Sequence, residues 1–93
     1  MYNIMNFTIE GLFMLIKQAD EVIQELADPT TGDYYQFGIF LDAGSYNVGW
    51  QIPLDRNGDT DWFKNHFEYD DDIKSALRKI CQWGIKEGYI TIE

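Results

Sequence analysis

Tyr34-Tyr35-Gln36-Phe37-Gly38-Ile39-Phe40-Leu41-Asp42-Ala43-Gly44-Ser45-Tyr46-Asn47-Val48-Gly49-Trp50-Gln51-Ile52-Pro53-Leu54 decides the fold. Tyr35, Phe37, Ile39 and Leu41 recur at every second position, as do Val48, Trp50, Ile52 and Leu54. Ala43-Gly44-Ser45 stands between them as a turn. Period-two runs on either side of a short turn read as an antiparallel hairpin with one apolar face. Tyr34, Phe40 and Tyr46 are expected to project from the other face. Pro53 has no N–H to give a ladder, so that end of the second strand reads as an edge. Asn57-Gly58 is a two-residue turn signal, returning the chain into a short third strand around Thr60–Phe63.

On the N-terminal side of the hairpin the period changes to that of a helix. Ile9, Leu12, Phe13, Ile16, Ala19, Ile23 and Leu26 follow one another at three- and four-residue steps. Thr8 is a suitable N-cap, and Phe7 before it is placed to staple onto Leu12. Pro29 ends the run, because the residue before a proline disfavours the helical conformation. A short strand around Tyr2 and Ile4 is expected ahead of it.

On the C-terminal side, Ile73, Ala76, Leu77, Ile80, Cys81 and Gly84 form the stripe of a second helix. Asp70 is the expected cap, with Asp71 and Asp72 at the positive end of the helix dipole. Gly88 suits the position after the helix, and Tyr89-Ile90-Thr91-Ile92 alternates as a closing strand. The order (β)-α-β-β-(β)-α-β gives an α+β fold. A small antiparallel sheet of three to five strands carries both helices on one face. Residues 1–93 are read as one compact domain: 45% apolar and 16% aromatic residues suffice for a thin core.

Charge narrows the partners. The net charge is −9, and between Asp55 and Asp72 seven carboxylates face two cations, Arg56 and Lys64. The acids are Asp55, Asp59, Asp61, Glu68, Asp70, Asp71 and Asp72, with Trp62, Phe63, His66, Phe67 and Tyr69 among them. Carboxylates packed this closely repel one another unless a basic surface meets them. Direct nucleic-acid binding is not expected, since phosphate contacts need clustered Lys and Arg. Anionic membrane surfaces should repel the chain. Its longest apolar run, Leu12–Ile16, is far below the roughly 20 residues of a membrane span. The first sixteen residues lack the Lys or Arg of a secretory start, and Cys81 is the sole cysteine. Cytoplasmic residence is the expectation.

No cofactor, metal or catalytic residue is expected. Asp55-Arg56-Asn57-Gly58-Asp59-Thr60-Asp61 has the alternating oxygen ligands that open a calcium loop. Thr60 then stands where a glycine is needed, and His66 occupies the place of the closing glutamate. One His and one Cys are too few for zinc. Ser45 and Ser75 lie in no nucleophile motif, and the chain is short for a substrate cleft.

In size, acidity and the Asp55–Asp72 segment, the chain resembles small phage and mobile-element anti-defence proteins of the anti-CRISPR type. It is also similar in character to the immunity proteins that neutralise nuclease toxins. Both resemblances imply a stoichiometric inhibitor with a basic, nucleic-acid-binding protein as partner, a nuclease or a defence effector. The expected partner-binding residues are Asp55, Asp59, Asp61, Trp62, Phe63, Glu68, Tyr69, Asp70, Asp71 and Asp72. The carboxylates would stand in for phosphates, and the aromatics would anchor the contact. The competing expectation is a structural protein that forms a homodimer through Tyr34, Tyr35, Phe40, Tyr46 and Trp50.

Overall fold

A helix start leaves N–H groups without internal partners, and Thr8 answers one of them. In the computed structural model of the chain, which describes residues 4–26, 34–51 and 66–92, the Thr8 hydroxyl accepts from the Gly11 N–H at 3.0 Å. Helix α1 (Ile9–Gln24) follows, burying Leu12, Leu15, Ile16, Ala19 and Ile23. Phe13, expected on that stripe, is half-exposed, and Leu15 takes an inner place. At about 100° per residue, Leu15 lies about 40° from Ala19 at one side of the stripe, whereas Phe13 is turned roughly 100° away from Leu12. The helix ends before Leu26, which is exposed. Pro29 lies outside the described residues.

Among the described residues, three strands, β1 (Gln36–Asp42), β2 (Ser45–Gln51) and β3 (His66–Asp70), form one antiparallel sheet in the order β1-β2-β3. Asp42 pairs with Ser45, leaving Ala43 and Gly44 as a two-residue loop. Both have positive φ, 51° and 86°, the geometry of a type I′ turn, whose twist matches the strands. Phe37 lies opposite Trp50, Ile39 opposite Val48 and Leu41 opposite Tyr46. Residues directly opposite share a face, so Tyr46 belongs to the helix-covered face with Val48, and not to the second face. Tyr46 has the same parity as Val48 along the strand, and it packs against the core.

The strand expected around Thr60–Phe63, Pro53 and the Asn57-Gly58 turn all lie outside the described residues. Strand β3, which the sequence reading did not mark, begins at His66. Its register with β2 sets Trp50 opposite His66, Val48 opposite Glu68 and Tyr46 opposite Asp70.

Helix α2 (Ile73–Lys86) buries Ala76, Leu77, Ile80, Cys81 and Gly84, the stripe read from its spacing. Its cap is Asp72, not Asp70: the Asp72 carboxylate accepts from the Ser75 N–H at 2.9 Å. Asp70 still belongs to β3 and accepts from the Asp72 N–H at 3.0 Å. Gly88, with φ 82°, ends the helix. Its N–H donates to the Ile85 carbonyl, and the N–H groups of Tyr89 and Ile90 both donate to the carbonyl of Gly84. This arrangement satisfies the last carbonyls of a helix. It also explains why residues 89–92 are not the closing strand their alternation suggests. Their hydrogen bonds go to the helix end, and Thr91 donates to Gln18 of α1. Ile90 packs where Gly84 has no side chain: a Cβ there would come within 2.6 Å of Ile90 Cδ1.

No N-terminal strand forms in the described residues either. Ile4 is buried, Met5 and Asn6 turn, and Phe7 donates its N–H back to the Ile4 carbonyl. Both helices lie on one face of the sheet. Trp50 joins them there, its N–H bonded to Asp20 of α1 and its ring 5.9 Å from that of Trp83 in α2. Among the described residues, no helix is long and apolar enough to cross a membrane.

Candidate functional site

The described half of the acid-rich segment is β3 and the two residues that link it to α2. Strand alternation sends His66, Glu68 and Asp70 toward the helices, and Phe67 and Tyr69 to the opposite face. Polar residues on the inner face are accommodated because α2 supplies Trp83 to His66 and Lys79 to Asp70, while Glu68 pairs with His66. His66 lies flat on Trp83, with ring centroids 4.1 Å and planes 8° apart. Its Nε2 is 2.8 Å from Glu68 Oε2. Lys79 reaches Asp70 at 3.0 Å and donates to the Tyr69 carbonyl at 2.9 Å.

The acids therefore differ in what they are free to do. The Asp72 N–H bonded to Asp70, and then Lys79, hold the Asp70 carboxyl below its usual range. Asp70 is thus already paired with a cation within the chain. Asp72 caps α2. Asp71 accepts from the Ser45 hydroxyl at 2.8 Å and meets no cation among the described residues. Asp71 and Asp72 are both exposed. Tyr69 is 64% exposed beside them. Asp55, Asp59, Asp61, Trp62 and Phe63 lie outside the described residues, as does the loop that opens like a calcium site.

The structure thus brings Glu68, Tyr69, Asp70, Asp71 and Asp72 to one end of the sheet. It adds neighbours that sequence reasoning did not join to them. A cleft of about 360 Å³ between β3 and α2 is lined by His66, Glu68, Lys79, Gln82, Trp83 and Lys86. The available signal was Trp83, which lies one helical turn after Lys79 on the flank of the stripe, where an aromatic shields a neighbouring strand. Ser45 and Ser75 are engaged at Asp71 and at the helix start, and neither is bonded to His66.

Of the aromatic residues suggested for self-association, Trp50 and Tyr35 are 2% and 8% exposed and belong to the core, whereas Tyr34 and Phe40 are exposed. Cys81 is fully buried, its Sγ donating to the Leu12 carbonyl at 3.5 Å, and burial pushes its thiol up to about 12. Comparison of the chain with protein-family models, with curated proteins and with solved structures returns no match.

Proposed function

We propose that this chain is a stoichiometric protein-binding inhibitor whose acidic surface occupies a basic, nucleic-acid-binding site, as phage anti-defence proteins of the anti-CRISPR type do. The observation that carries the reading is the end of β3. There Tyr69 stands exposed beside Asp71 and Asp72, in a segment with seven carboxylates and two cations. An exposed tyrosine brings a large apolar ring with a polar tip, the kind of side chain that anchors interfaces. Exposed carboxylates around it steer a cationic partner over a distance and set its orientation.

The target is a basic nuclease or defence effector in the cytoplasm. Its phosphate-binding groove accepts carboxylates because duplex DNA presents about one charge per 1.7 Å of axis. The inhibitor needs no cofactor and performs no chemistry; occupancy is the activity. The test is capture of partners from a bacterial lysate on the immobilised chain, eluted with a salt gradient and identified by mass spectrometry. A nucleic-acid-binding protein that elutes as salt rises, and whose activity the free chain blocks one-to-one, is the expected result. Recovery of no such protein, or elution indifferent to salt, rejects the reading.

A further inference from the structure

Among the described residues, hydrogen bonding along β1 leaves one of its two edges open. Asp42 and Ser45 form the pair that closes the two-residue turn. Pairs alternate along an antiparallel ladder, so Gln36, Gly38, Phe40 and Asp42 direct their backbone groups at β2. Phe37, Ile39 and Leu41 direct theirs outward. Tyr35, one step earlier in the same phase, shows where that edge points. Its N–H and carbonyl are both bonded to the Gln24 side chain of α1. Beyond Tyr35, no backbone hydrogen bond outside the ladder joins Phe37, Ile39 or Leu41 to another of the described residues.

The side chains on this edge are apolar and exposed. Ile39 is 43% exposed and Leu41 69% on the helix-covered face, and Phe40 is 45% exposed on the other. Edge strands are normally blunted by lysine, proline or a bulge. The opposite edge has such a device: Lys79 bonds the outward carbonyl of Tyr69 in β3. Strand β1 carries no lysine, no proline and a single charge, Asp42.

We propose that β1 is a self-association edge, pairing antiparallel with β1 of a second copy about a two-fold axis at Ile39. In that register Ile39 faces Ile39 of the second copy, and Phe37 and Leu41 face each other in both directions. Each of these residues exchanges its N–H and carbonyl, which satisfies the open groups of both edges. Phe40 falls opposite Gly38, so no two large rings collide on the open face. Asp42 falls opposite Gln36, so no like charges meet.

Charge selects this occupant. Tyr34 to Leu54 contain one charged residue in a chain of net −9. Two copies therefore approach with least repulsion along this hairpin, whereas a basic strand would find almost no carboxylate to meet. The surface is separate from the end of β3, so dimerisation and target binding are independent.

The test is sedimentation of the full chain across a concentration series, with hydrogen exchange of its amides read in parallel. The expected result is a reversible dimer that barely responds to salt, with the Phe37, Ile39 and Leu41 amides gaining protection as concentration rises. Ile39→Lys sets two ammonium groups opposite one another across the axis. It should raise the dimer dissociation constant roughly tenfold or more, while circular dichroism and melting stay unchanged. Leu41→Lys, at a more exposed position, is the second variant and should act in the same direction. A chain that is monomeric throughout overturns the proposal and leaves the edge to a strand of another protein. A dimer unaffected by both folded variants overturns it as well.

Discussion

The indole N–H of Trp50 donates to the Asp20 carboxylate at 3.0 Å, joining the central strand to the first helix across 30 positions of sequence. Gln24 donates to the same carboxylate at 2.9 Å and holds the backbone of Tyr35. One acid thus fixes where α1 meets the sheet. Trp50 is 2% exposed, so losing its acceptor leaves the indole donor poorly served by water. Asp20→Ala should cost about 1–3 kcal/mol, the penalty of an orphaned buried donor. Asp20→Asn keeps an acceptor oxygen and should cost much less. Urea denaturation of the two variants measures the difference; equal losses would mean that the indole bond is not what matters.

Ala43 holds a φ of 51°, a region where an alanine Cβ crowds the backbone. Asn-Gly is the preferred pair for this turn type. Ala43→Asn should therefore raise stability by roughly 0.5–1 kcal/mol, read as an upward shift of the melting temperature with the same denaturant slope. A loss of stability would contradict the type I′ assignment.

Cys81 gives an alkaline signature. Its thiol moves from an ordinary 9.0 to about 12 in the fold because burial disfavours the thiolate. The unfolded chain gives up this proton first. The associated stability is whole below pH 9 and is lost as pH rises from 9 toward 12. The stability advantage of wild type over Cys81→Ala should shrink across that window. Native protein should also react with thiol reagents only as fast as it opens.

Capping separates the three consecutive aspartates. Asp72→Ala should lower stability by about 1 kcal/mol, the usual worth of an N-cap. Asp71→Ala removes one exposed bond to Ser45 and should stay within about 0.5 kcal/mol of wild type. Thermal melts that rank them in the opposite order would move the cap away from Asp72.

Charge reversal addresses the proposed epitope. Asp59, Asp61 and Glu68 changed together to lysine should abolish target binding while the circular dichroism spectrum is retained. Asp71→Lys should slow association and flatten its dependence between about 50 and about 500 mM salt, since steering follows charge and salt screens it. Unaltered association in both variants would place the epitope elsewhere.

The sequence by itself determined what depends on neighbours a few positions away. Thr8 caps because a hydroxyl precedes an apolar stripe, and the buried side of α2 follows from its three- and four-residue steps. Ala43-Gly44 turns the hairpin because Gly44 takes the positive φ of a type I′ turn at no steric cost. The tertiary structure decided what depends on who lies opposite. In β3 the pattern is inverted, with Phe67 and Tyr69 outward and His66, Glu68 and Asp70 inward. Those polar residues face the helices because Trp83 and Lys79 of α2 stack on one and pair with another. Residues 89–92 alternate like a strand, yet the carbonyl of Gly84 takes the N–H groups of Tyr89 and Ile90, and Gln18 takes that of Thr91. The cap passes from Asp70 to Asp72 because pairing with Tyr46 keeps Asp70 in the sheet. Spacing along a chain encodes which residues share a face of one element. Which of those faces finds a partner, and which acid is left for solvent, is settled by contacts between elements distant in sequence.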